Sequence, residues 1–174
     1  MFPIGLGLMA ATSRSEPVAP ENLPEAVAKT FHATFPNGKI EKLDVEEENG
    51  VMVYDFEFLD GAQEKETDIA VDGTMLESTL VVVAAAIPTP AMKAIRAAAR
   101  GGKIGRLERI EMSYELKDGK VVKLPAQVTN YAAEMTRGGK QAEIFVAPDG
   151  KVTAAPEWAP IPPAPKAAPG KTPK

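Results

Sequence analysis

From Leu23 onward the chain places apolar residues four apart: Leu23, Val27, Phe31 and Phe35. That spacing gathers them along one side of a helix, the side that turns toward a core. Asn22-Leu-Pro-Glu25 forms a capping-box pattern ahead of the stripe. Phe35-Pro36-Asn37-Gly38 stops it, because proline cannot continue a helix and glycine accepts the left-handed exit. The period then falls to two. Tyr54, Phe56 and Phe58 alternate with Asp55 and Glu57, and Ile69 and Val71 alternate with Asp68 and Asp72. This is the pattern of strands with one face buried and one wet. Asn49-Gly50, Asp60-Gly61, Asp118-Gly119 and Gly138-Gly139 mark hairpin turns, and Asp72-Gly73 and Asp149-Gly150 mark bends late in the third strand.

The same order of elements occurs twice. At an offset of 64, Leu23-Pro24 aligns with Ile87-Pro88, Lys29 with Lys93, Phe31 with Ile95, Gly38-Lys39-Ile40 with Gly102-Lys103-Ile104, and Leu43 with Leu107. At an offset of 77, Tyr54 aligns with Tyr131, Glu57 with Glu134, Gly61 with Gly138, Glu66 with Glu143, and Asp72-Gly73 with Asp149-Gly150. The second copy therefore carries thirteen additional residues within 109–130. Paired agreement of this kind reads as internal duplication. Thr89-Pro90 supplies the second helix with an N-cap and a proline at its first position.

The expected fold is thus α+β: two tandem modules, each a helix on a three- to four-stranded antiparallel sheet, at residues 22–78 and 87–156. The run Leu80-Val81-Val82-Val83 within 79–86 is a strand or buried connector between them. One module alone buries little surface, and packing two together relieves that.

Composition adds limits at the two ends. Residues 1–21 open with an apolar stretch, Phe2 to Ala11, far shorter than the roughly 20 residues a membrane span needs. Two readings stand: a signal sequence shortened by a misplaced start, implying export, or a frayed terminus. Residues 157–174 are rich in proline and alanine and read as a disordered tail, with Trp158 either loose or folded back onto the module. The chain has no cysteine, which removes disulfides, thiol catalysis and cysteine-zinc sites.

The pattern Leu-Pro-x-x-Val, the helix end with glycine, the alternating Tyr-x-Phe strand and the Asp-Gly strand turn together resemble the PepSY-like domain. Two copies in series over residues 23–156 resemble the architecture of the beta-lactamase inhibitory proteins. Ala132-Ala133, standing where the first copy has Asp55-Phe56, departs from the pattern. The resemblance implies a small periplasmic or secreted domain without an active site. It also implies a protein partner, a peptidase among the candidates, covered by a concave sheet as the lactamase inhibitors cover an enzyme.

The search for chemistry agrees with that implication. Gly101-Gly102-Lys103-Ile104-Gly105 lacks the spacing of a phosphate-binding loop and follows a helix instead of opening one. The sole histidine, His32, has no second imidazole or cysteine with which to share a metal and takes a surface or structural role. No catalytic residue, cofactor or metal site is expected. Charge says more. Residues 23–78 hold four Lys/Arg against fourteen Asp/Glu, a net of −10, while residues 87–156 hold twelve against seven, a net of +5. Alternation puts Asp44, Glu46, Asp55, Glu57, Glu66 and Asp68 on the open sheet face of the first copy. Such a field suits a basic protein surface or a loosely held Ca²⁺, and it is equally what the solvated face of an amphipathic sheet looks like. Phe145, where the first copy has Asp68, is either an exposed anchor on that face or buried by a shift of register. The acidic balance and the lack of aromatics among the basic residues argue against nucleic acid.

Overall fold

The computed structural model describes residues 15–162. The expected shortened signal sequence within residues 1–14 and the tail from residue 163 lie outside them. Two helices, α1 (Glu25–Thr34) and α2 (Thr89–Ala99), lie over a single antiparallel sheet. Its strands are β1 (Glu16–Pro17), β2 (Gly38–Glu48), β3 (Val51–Asp60), β4 (Gln63–Ala70), β5 (Met75–Val81), β6 (Lys103–Lys117), β7 (Lys120–Arg137), β8 (Lys140–Val146), β9 (Val152–Ala154) and β10 (Ala159–Pro160). The order across the sheet follows the chain from β1 to β8, with β9 and β10 both pairing with β8.

This corrects the expected α+β pair of helix-plus-sheet modules. One sheet of ten strands dominates, because β5 pairs on both sides, with β4 through Lys65↔Leu80 and with β6 through Leu80↔Arg109. The apolar run from Leu80 is therefore in part a central strand, held in the ladder on both flanks. Hydrogen bonding across β5 and β6 leaves no seam in the sheet at which two modules could part.

Both helices cover the same face. Val27, Phe31 and Phe35 of α1 pack on Leu43, Phe56, Phe58 and Ile69, so the four-residue stripe meets the strand positions of period two. Phe31 is fully buried and lies stacked on Phe56 at a centroid distance of 4.4 Å and edge-on to Phe58 at 5.0 Å. Ala91, Met92, Ile95 and Ala99 of α2 pack in the same way on Leu107, Tyr131, Ala133, Met135, Ile144 and Val146. Val71 does not join the core as the alternation implied, since it follows the last residue of β4 and is exposed. Nor does either helix use a side-chain cap. Pro24 and Pro88 precede the first helical residues in extended conformation, and Asn22 is taken into a short 3₁₀ turn, Pro20–Asn22.

One glycine is required where β4 turns toward β5. Gly73 has φ +86°, and a Cβ there would stand 2.8 Å from the Ala26 carbonyl oxygen of α1. The carbonyl of Gly73 accepts a hydrogen bond from Thr30 Oγ1 at 2.7 Å, which ties the turn to the helix. Gly73→Ala is expected to cost ~2–3 kcal/mol, from the backbone conformation and the contact together. Urea denaturation would read this as a lower midpoint with an unchanged slope.

Residues 109–130, where the sequence alignment expects an insertion, extend the β6–β7 hairpin. Beyond Met112↔Val128 the β6–β7 ladder loses register across residues 124–127, and resumes at Tyr114↔Lys123 as a short arm. Tyr114, Leu116 and Val121 of the arm pack on Val51, Val53, Ala70 and Leu76, on the face opposite the helices. The tip is fastened to the β2–β3 turn, where Gly119 N–H donates to the Asn49 carbonyl at 2.9 Å and Asn49 Nδ2 donates to the Leu116 carbonyl at 3.4 Å. One end of the face that the sequence presents as open is thereby roofed.

Candidate functional site

The rest of that face is acidic, and the strand register explains why. Asp44 of β2 lies opposite Asp55 of β3, Asp55 opposite Asp68 of β4, and Asp68 opposite Glu77 of β5. Four carboxylates thus form one row across four strands. The next row on the same face sets Glu57 opposite Glu66 and Glu66 opposite Thr79. Like charges directly opposed in a sheet destabilise it, so these rows are an arrangement the fold sustains against its own stability.

Two cations relieve part of the field. Lys42 bridges Asp44 at 2.7 Å and Glu57 at 2.9 Å, at the β2 side. Burial alone would depress its ammonium, but hydrogen bonds to Asp44 and Glu57 and their charges together raise it above the usual lysine range. Arg106 of β6 gathers Glu66 and Glu108, and reaches Glu64 at 3.0 Å. Arg106 comes from the basic part of the chain and the glutamates at 64 and 66 from the acidic part, so the opposite net charges meet here across β4, β5 and β6.

The carboxylates between these cations are shifted upward. Burial raises Asp68 well above the ordinary carboxylate range, with Glu77 and Asp55 adding to it. Burial, then the charges of Glu48 and Asp55, push Glu77 up to about 8. Burial also lifts Glu66 to about 8, joined by Glu108 and opposed by Arg106. Asp55 rises to about 6 and Glu48 to about 7, again chiefly through burial. A face of this kind is partly protonated near neutrality and attracts positive charge from outside.

The structure therefore brings Asp44, Glu46, Asp55, Glu57, Glu66 and Asp68 onto one face, with Asp44 and Glu46 themselves buried. Phe145 is not brought to the surface. It is 7% exposed and packs with Ile110 and Ala132, so of the two readings the buried one holds and the exposed anchor falls. Glu48, Glu77, Arg106 and Glu108 belong to the site and escape the sequence reading. Continuing the alternation through Glu77-x-Thr79 would have found Glu77, had that segment been placed in the sheet. Among the described residues no group of three or more His, Cys, Asp or Glu is placed to hold a metal ion. His32 is exposed on α1. No described helix is long and apolar enough to cross a membrane.

No family model and no curated protein matches the chain. Solved structures share its architecture. A BLIP-like protein from Bacteroides fragilis superposes with a TM-score of 0.54 at 12% identity, over 83% of this chain and 92% of its own. The fold is BLIP-like. A candidate periplasmic protein from Bacteroides eggerthii gives a TM-score of 0.57 at 12% identity, over 78% of this chain and 88% of its own. A DUF2874 family protein from Bacteroides uniformis gives 0.54 at 13%, over 75% and 86%. At these identities the BLIP-like likeness is one of fold.

Proposed function

We propose that this protein is an exported, non-catalytic binding module of the cell envelope that uses its acidic sheet face to engage the basic surface of a protein partner. A peptidase or another periplasmic protein is the partner class. The observation that carries the reading is the row Asp44–Asp55–Asp68–Glu77, where four carboxylates stand in cross-strand register at a cost to the fold. A cationic surface laid over that row supplies the charge that the fold leaves out, and stability given up at one place is a mark of function. The PepSY-like pattern of the sequence and the BLIP-like fold support a role in binding, and the periplasmic candidate among its structural neighbours supports export.

The test combines stability with binding. Replacing Asp55 and Asp68 by Asn and Glu77 by Gln is expected to raise the melting temperature at pH 8, because buried like charges are removed. The same variant should bind a partner captured from periplasmic extract at least tenfold more weakly than the wild type. Added salt should slow association of the wild type, as expected where charge steers the encounter. A wild-type protein that captures nothing, or a variant that captures the same partner with equal affinity, would remove this reading.

A further inference from the structure

On the opposite face, outside α2, lies a cleft of about 700 Å³ lined by Ala94, Ala97 and Ala98 of α2, Ile144, Val152, Pro156 and Trp158, with Arg100 and Arg137 at its polar side. Its volume falls within the roughly 300–1,000 Å³ of small-molecule sites. Its shape follows from the sequence. The three alanines leave the outer side of α2 without bulk, and the segment after β9 crosses above it as a strap. Three contacts hold the strap down. Ala159 and Pro160 pair with Gln141 and Lys140 of β8, Ile161 N–H donates to the Gly139 carbonyl at 3.1 Å, and the Trp158 ring lies 4.4 Å from the Arg137 guanidinium.

The charge of the cleft is one-sided. Arg137 Nη1 donates to the Ala99 carbonyl at 3.5 Å and covers the C-terminal end of α2. Arg100 ends that helix in left-handed conformation, φ 48°. Neither guanidinium has a carboxylate within ion-pair distance among the described residues. An apolar slot walled by methyl groups and an indole, with two uncompensated guanidiniums on one side, matches a ligand with a hydrocarbon body and an anionic head.

We propose that this cleft binds a medium-chain fatty carboxylate, its chain along Ala94, Ala97, Ala98 and Trp158 and its head at Arg100 and Arg137. The site is on the helix-covered face and is independent of the acidic face. Trp158 is the sole tryptophan of the chain and forms part of the wall, so its fluorescence reports occupancy directly. The full-length protein is titrated with decanoate, decanol and decylammonium, each below its micelle concentration. Decanoate is expected to give a saturable emission change of one-to-one stoichiometry, with decylammonium at least tenfold weaker and decanol between them.

Two variants act on separate parts of the site. Ala97 and Arg100 are both exposed, so replacing them leaves the core untouched. Ala97→Leu fills the trough, and Arg100→Asn removes a charge while keeping a residue that tolerates the left-handed position. Each is expected to weaken decanoate at least tenfold. The absence of a saturable response, equal affinity for decanoate and decylammonium, or a decanoate isotherm unchanged in Ala97→Leu would each overturn the proposal. None of these outcomes bears on binding at the acidic face.

Discussion

Raising the pH from 5 to 8 is expected to lower the unfolding free energy by several kcal/mol. Glu66 and Glu77 are pushed up to about 8, Glu48 and Glu143 to about 7 and Asp55 to about 6, with burial the first cause each time. Asp68 is also well above its ordinary value. A carboxyl whose pKa is higher in the fold binds a proton that the unfolded chain has already lost. Its stabilisation is complete below the unfolded value near 4 and is lost as pH climbs through the folded one. The window therefore runs from about pH 4.5 to 8, with stability falling as pH rises, the reverse of the profile given by carboxylates in salt bridges. One pKa unit corresponds to about 1.4 kcal/mol, and the rows interact, so several kcal/mol is an order of magnitude for the whole face. Urea midpoints at pH 5, 6, 7 and 8 and constant ionic strength would show it. A flat or rising profile would contradict the burial of these groups, and Asp68→Asn should flatten the slope.

Phe31→Ala is expected to cost about 3–5 kcal/mol, the range for deleting a buried aromatic side chain. Phe31 is fully buried and touches Phe35, Phe56 and Phe58 through ring contacts, so its loss leaves a cavity whose walls belong to a helix and the sheet at once. Because β5 is bonded on both sides, the destabilised variant should still unfold in one transition that shifts to lower denaturant. A second transition, with the α2 region persisting after α1 is lost, would show that the sheet is cooperative only in halves.

Local chemistry was the part of this structure that the sequence made legible. Asn49-Gly50, Asp118-Gly119 and Gly138-Gly139 all adopt positive φ at the hairpins where the dipeptides put them. The stripe Val27, Phe31, Phe35 and the alternation of Phe56 and Phe58 resolved correctly because each depends only on period and on one buried side. The joining of the sheet was not legible. The ladder shifts register between Asp68 and Ile69 opposite Leu76, which breaks the period of two in β5 and hides Glu77. Leu80 to Val83, uniformly apolar, carries no alternation to say whether it pairs or merely connects. The roofing of one end of the acidic face was hidden for another reason. Val51, Val53 and Leu76 are covered by Tyr114, Leu116 and Val121, which lie far along the chain, and no local pattern encodes where an arm will land. Phe145 stayed undecided in the sequence between an exposed and a buried place, since its packing comes from Ile110 and Ala132 on other strands.

At the borders of the sheet, β1 on β2 and β10 beside β9 on β8, the two-residue strands β1 and β10 each contain a proline, Pro17 opposite Asp44 and Pro160 opposite Lys140. A proline has no N–H to offer to an incoming chain, and a two-residue strand presents too short a template to seed one. A sheet this wide would otherwise expose two long unpaired borders to its own copies. These short proline-bearing strips act as partial selvedges, each finishing the stretch of border it covers and leaving less of the edge open to a copy that would extend the sheet.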